Sequence, residues 1–314
     1  VEASVNTSVV EAAPLPGAPD LAGLEPVEKI KRRWPMLLGG ALTLLMIGAL
    51  AHELFGSGLG ALSKSVPTNP LFYFAFALYY LGPPTFDYVI FRRLWQIPLS
   101  GMAALHKKRI SNEVLLGYSG EAYFYAWARQ RTKMVAAPFG AVKDVMILSA
   151  IAGNGITFLG ISLALPFGIN LLTAVQQKLV LGSLGLIILT SLPFLIFSRR
   201  VFSLPRPTLW WIFGIHCTRL VLGSFFIALA WHAAMPQVSL VVWLFLAAAR
   251  LLAWRLPLVP NKELVFATFA IMLIGQGEAL SDLMALIAAM SLLVHVALIA
   301  AFSLHSLLTR NKTQ

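Results

Sequence analysis

Arg219 and Arg250 each stand inside a long apolar run. A guanidinium at such depth costs at least about 2.5 kcal/mol on insertion scales, so it normally faces a partner, water or a ligand. As a planar, permanently charged fork, it is a good bidentate ligand for a phosphate oxygen pair. The structural alternative for each arginine is to snorkel to an interface or to pair within the protein. His216 precedes Arg219 by one helical turn and shares its face. Trp254, four residues after Arg250, is placed to cover that guanidinium by a cation–π contact. Two carboxylates pose the complementary question. Asp87 lies late in another apolar run, after Gly82-Pro83-Pro84, where the prolines predict a helix break that frees carbonyls. Glu121 follows Gly120 at the start of an aromatic-rich helical segment, where a buried carboxylate needs a cation from the protein or from a ligand. Arg219, Arg250, Glu121, Asp87 and His216 are therefore the candidate substrate-binding residues: cations for an anionic group, carboxylates to balance charge or bind a cation.

A second set lies between these runs. Lys107, Lys108 and Arg109 form a basic edge suited to anionic lipid head groups, at about 1 kcal/mol per residue near a charged leaflet. Tyr123, Trp127 and Arg131 recur at spacing four and share one helical face, with Arg129 beside them. Lys107, Lys108, Arg109, Arg129, Arg131 and Trp127 are the candidate head-group contacts. The same residues also serve as topology signals and interfacial anchors. The apolar piece from Trp95 to Leu105, interrupted by Pro98 and Gly101, reads as a short interfacial or re-entrant helix.

These residues must be positioned by membrane-length helices. Of the 314 residues, 58% are hydrophobic and only 12% charged, well below the usual quarter. Eight runs near 34–55, 70–91, 144–166, 179–198, 208–231, 238–254, 263–281 and 283–308 are long enough to cross a hydrocarbon core. Basic residues mark alternate connections. Lys29, Lys31, Arg32 and Arg33 come before the first run, nine between Arg92 and Lys143, then Arg199, Arg200 and Arg206, then Arg255 and Lys262, then Arg310 and Lys312. The opposite connections hold only Lys64 and Lys178, and the last of them is acidic, with Glu278 and Asp282. Retained Lys and Arg mark the cytoplasmic side, so the expected fold is an all-α integral membrane protein of about eight transmembrane helices with both termini cytoplasmic. Residues 1–28 carry five acidic residues, no basic one and no apolar period, and are expected to form a disordered acidic leader ahead of a membrane domain at 29–314.

A second proline-broken piece, Trp254 to Glu263, follows the sixth run and is the other expected re-entrant or interfacial element. Ile97-Pro98-Leu99 with Asn112-Glu113 is echoed by Leu256-Pro257-Leu258 with Asn261-Lys262-Glu263. Either chance or a parallel repeat of four plus four spans accounts for so short a match.

In Gly120-Glu121, and in Leu256-Pro257-Leu258-Val259-Pro260 with Glu263, the chain resembles the bacterial flippase-like membrane family related to the transmembrane domain of lysylphosphatidylglycerol synthases. Ala141-Val-Lys-Asp144 resembles the start of the following family helix. The resemblance extends over most of residues 34–308 and implies movement of a phospholipid or an isoprenoid-linked lipid between the leaflets of a bacterial inner membrane. Two positions depart from the family pattern. Asn261-Lys262 replaces a diglycine, and Tyr125 stands where an arginine is expected, with Arg129 or Arg131 as substitutes.

Other chemistry finds little footing. Gly117-Tyr-Ser-Gly120 falls short of a hydrolase elbow, and the glycines at 56, 58 and 60 follow no strand. The histidines form no zinc-binding pair, and Cys217 stands alone in an apolar run. No cofactor is implied. A formal charge of +11 dispersed in clusters beside apolar runs, rather than along one polar face, argues against nucleic acid. Three readings follow: a translocator of anionic lipids, a noncatalytic accessory subunit of a larger membrane complex, or a lipid-modifying enzyme using Glu121 or Asp87 as a base. The expected partners are membrane lipids, together with a membrane protein or further copies of this chain.

Overall fold

The computed structural model describes residues 66–114, 119–131, 139–168, 202–255 and 277–310, with scattered positions between 41 and 44, 174 and 189, and 266 and 275. The expected leader, most of the runs at 34–55 and 179–198, and the proline-broken piece from residue 256 to 263 lie outside the described residues.

Every regular element among the described residues is helical: α1 Pro70–Trp95, α2 Gly101–Val114, α3 Ser119–Arg131, α4 Phe139–Gly168, α5 Arg206–Ala234, α6 Leu240–Arg255 and α7 Gly277–Arg310. Three stretches are long and apolar enough to cross a membrane, Gly140–Leu163, Arg206–Ala234 and Ala279–Phe302, and Leu240–Ala253 is a shorter apolar helix. These lengths and compositions are those of an integral membrane protein.

Local chemistry sets the ends of the elements. The Asn69 side chain accepts from the Leu71 N–H at 3.0 Å and Pro70 occupies the first turn, an ordinary helix start for α1. At its other end Gln96 adopts a left-handed conformation, φ 51°, and donates its N–H to the Arg92 carbonyl. The stretch from Trp95 to Leu105 is then neither one short helix nor a hairpin. It comprises the end of α1, a turn closed by Gly101 N–H to the Pro98 carbonyl at 2.8 Å, and the start of α2. Gly101 permits this corner to be crowded, since a Cβ there would lie 3.0 Å from Ile97 and 3.1 Å from the Trp127 ring.

Two expectations need correction. α1 runs unbroken through Pro83 and Pro84, although each proline still deprives a carbonyl one turn earlier of its helical partner. The boundary expected at 281–283 lies earlier. Gly275, φ 75°, donates to the Ile271 carbonyl and closes one helical stretch, after which α7 begins at Gly277. Glu278 and Asp282 therefore belong to the start of a helix rather than to a loop.

α5 is the central helix and packs against α1, α4 and α6, while α2 lies against α1, α3 and α7. α1 and α5 run antiparallel. At one end Phe72 and Ala75 meet Ile227, Ala228 and Trp231, with Trp243 and Leu246 of α6. At the other, Tyr88, Ile90 and Phe91 meet Ile212, with Leu105, Phe124 and Val145. Asp87 and Arg219 fall between the two apolar clusters.

Candidate functional site: a charged cavity between helices

The lengths of α1 and α5 between those clusters enclose a cavity of about 410 Å³, completed by α2, α3, α4 and α6. All five candidate substrate-binding residues line it: Asp87, Glu121, His216, Arg219 and Arg250. So do Lys108, Arg109 and Glu113. Residues up to 163 positions apart in the chain, from Asp87 to Arg250, are thus gathered on one volume.

Asp87 is the hub. Its Oδ2 accepts from Lys108 Nζ at 2.7 Å, and its Oδ1 lies 3.4 Å from Arg219 Nη1. Lys108 Nζ also lies 3.5 Å from Glu121 Oε1, so this lysine is shared between carboxylates of α1 and α3. Arg219 spends its other arm on the Ser149 hydroxyl of α4, to which Nη2 donates at 2.9 Å. Burial disfavours the Lys108 ammonium, but Asp87 and Glu121 outweigh it and raise its pKa, so it stays charged.

The Gly120-Glu121 pair has a steric origin. A methyl group at Gly120 would fall on the backbone carbonyl of Lys108, and the Gly120 N–H donates to Asn112 Oδ1 at 2.7 Å. Only glycine lets the start of α3 sit so close on α2. That approach brings the neighbouring Glu121 to Lys108. A second bridge, between the Ser119 and Ser111 hydroxyls at 2.7 Å, ties the same two helices.

A further cluster is built on α2. Arg109 donates from Nε to Glu113 Oε1 at 2.6 Å and from Nη1 to the Tyr80 carbonyl, while its guanidinium lies 4.2 Å from the Tyr80 ring centroid. The Tyr80 carbonyl is the one whose helical donor is missing at Pro84. The expected release of a carbonyl thus occurs without a break in the helix, and an arginine supplies the missing donor. Glu113 Oε2 lies 3.2 Å from His295 Nε2 on α7. Burial pushes the Glu113 carboxyl up, but Arg109 and His295 prevail and bring it down to about 2.

The remaining candidates are placed less uniformly. Lys108 and Arg109 turn into the cavity instead of presenting a basic edge, because their partners Asp87, Glu121, Glu113 and Tyr80 lie on that side. Lys107, Arg129 and Trp127 are half-buried outside its walls. Tyr123 and Trp127 of the expected aromatic face pack into the protein with Phe124, and Arg131 ends α3. The Arg250 guanidinium lies 5.7 Å from the Tyr79 ring centroid, and its expected partner, the Trp254 side chain, lies outside the described residues.

Lys108, Arg109, Arg219 and Arg250 face Asp87, Glu113 and Glu121 across the cavity, leaving one positive charge in excess among these residues. Such a lining can receive a monoanion or a zwitterion with little loss of compensation. Among the described residues no group of three or more His, Cys, Asp or Glu is gathered as a metal would need. Ser149, Tyr80, Glu113 and His295 carried no distinctive signal in the sequence, save that Arg109 and Glu113 are spaced as a helical ion pair.

No family model, curated protein or solved structure matches this chain.

Proposed function

We propose that the cavity binds the phosphate-bearing head group of an anionic lipid, a phospholipid or an isoprenoid-linked one, and carries it between leaflets of a bacterial cytoplasmic membrane. In this reading the chain forms eight spans with both termini in the cytoplasm, as the distribution of Lys and Arg requires. The likeness of Gly120-Glu121 and Leu256 to Glu263 to the flippase-like family points the same way.

One observation carries the reading: α1, α2, α3, α5 and α6 each bring a charged side chain to one cavity whose lining is net positive. Guanidinium groups in such a place replace the water that a phosphate gives up on leaving the head-group layer. Asp87 and Glu121 hold the cations in position while the site is empty.

The test is a leaflet-resolved assay with the full chain reconstituted into vesicles containing a fluorescent anionic lipid. The expected result is protein-dependent transfer that falls at least about tenfold in the Arg219→Ala, Arg250→Ala double variant. Equal rates for wild type and variant reject the reading. Stoichiometric co-purification with other membrane proteins, without bound lipid, would favour an accessory subunit instead.

A further inference from the structure

The charged cavity adjoins an apolar groove. Between α4, α5 and α6 runs a volume of about 520 Å³ whose lining, Ser224 apart, consists of apolar side chains and Gly160. Ser224 and Leu251 belong to both walls, so the two volumes meet where α5 and α6 face each other. The cations are close to that junction in sequence. Arg250 immediately precedes Leu251 on α6, and Arg219 lies five residues before Ser224 on α5. On its far side the groove is open, with Leu159 52%, Leu163 64% and Val241 65% exposed. Two of its three helices are long and apolar enough to cross a membrane, so this open flank faces hydrocarbon when the protein is in a bilayer.

A charged cavity and an apolar groove sharing a wall have the polarity profile of an amphiphile. A phosphate enters the cavity only if cations replace its water, whereas its chain is held out of polar surroundings by about 0.8 kcal/mol per methylene. A continuous groove satisfies both ends at once, because the head group can leave the leaflet while its chain never crosses a polar wall. A small soluble anion would have no use for the groove. We infer that cavity and groove form one amphipathic site for a monoanionic phosphodiester lipid, with the phosphate between Arg219 and Arg250 and a hydrocarbon chain passing Ser224 and Leu251 into the groove. This inference rests on the head-group reading of the cavity and adds to it a lateral route of entry between α4, α5 and α6.

Gly160 offers a way to fill the groove without disturbing the backbone, since a Cβ there meets Ala248 at an ordinary 3.4 Å. Gly160→Leu blocks the groove and Leu251→Trp blocks the junction. The full chain in an uncharged detergent is titrated with glycerol 3-phosphate and with phosphatidylglycerols of six, eight and twelve carbons per chain, and binding is followed by tryptophan fluorescence. In the wild type, affinity rises about tenfold or more from the six-carbon to the twelve-carbon lipid. In each variant that gain falls below about threefold, while in Gly160→Leu, which lies outside the charged cavity, glycerol 3-phosphate binds as in the wild type, which also reports that the cavity is folded. Partition into micelles is common to all three proteins, so the difference between them is the readout. A chain-length gain undiminished in both variants, or no gain in the wild type although glycerol 3-phosphate binds, overturns the groove and leaves the head-group reading standing. If neither glycerol 3-phosphate nor any lipid binds, the head-group reading falls and the groove falls with it.

Discussion

Asp87 and Asp144 are both buried carboxylates within apolar helices, yet they are held in opposite ways. Asp144, near the start of α4, accepts from the backbone N–H groups of Ser203 and Leu204 at 2.7 and 2.8 Å, and its side chain is fully buried. It ties the approach to α5 onto α4, and Gly140 leaves room beside it, since a Cβ there would lie 3.0 Å from Ser203 Oγ. Asp87 receives its bonds from the side chains of Lys108 and Arg219, and it faces a cavity. Backbone donors cannot leave without unfolding the segment that carries them. Side-chain cations can turn toward another anion. The contrast separates a carboxylate that ties backbone to backbone from one held by side chains beside a cavity, which under the proposed function keeps the place of a ligand.

The strongest break in this comparison is Asp144→Ala. It leaves two backbone donors buried without an acceptor and is expected to cost about 3 kcal/mol or more, read as a large drop in the unfolding midpoint of the detergent-solubilised chain. Asp144→Asn, which keeps one acceptor oxygen, should recover a good part of that loss. Gly120→Ala comes next. The added methyl collides with the Lys108 backbone, so a loss of about 1–3 kcal/mol is expected together with weaker binding of an anionic probe, because Lys108 and Glu121 move apart. A variant as stable and as tight as wild type would show that the close approach of α3 to α2 does not set the cavity. Asp87→Asn acts in the other direction. Removing the carboxylate charge leaves Lys108 and Arg219 less compensated, so affinity for glycerol 3-phosphate should rise about tenfold, and the gain should shrink as salt is added. An unchanged or lower affinity would place Asp87 with Asp144 as a purely structural carboxylate. The smallest effect belongs to Lys107→Gln with Arg129→Gln, outside the cavity walls. Cavity affinity should stay within about twofold, and stability should fall by only about 1 kcal/mol, the worth of the lost Arg129 bond to the Tyr125 hydroxyl.

The sequence revealed the cavity residues that carry a cost of their own. Arg219, Arg250, Asp87 and Glu121 stood out because charge in an apolar setting demands compensation, and that demand is visible without knowing where the partner lies. The partners were hidden for the same reason in reverse. Ser149 and Tyr80 are ordinary residues in a helix, and only tertiary packing brings them to a guanidinium. Lys107, Lys108 and Arg109 read as one cluster, but consecutive helical positions point about 100° apart, so a run of three cations need not face one surface. The start of α7 departs from the expected boundary because Glu278 and Asp282 read as a turn, whereas the residue that stops the preceding helical stretch is the left-handed Gly275. Long apolar helices were legible from length and composition alone, as Arg206–Ala234 shows.

The prolines of α1 have a consequence beyond their own helix. Pro84 leaves the Tyr80 carbonyl open, and Arg109 occupies it, while the adjacent Lys108 reaches Asp87, about two turns further along α1 than Tyr80. Sliding α2 by a single residue would rotate both cations by about 100° and lose both contacts together. A missing peptide hydrogen therefore works as a key for register: it marks the one setting of α2 against α1 at which two adjacent cations both find their oxygens.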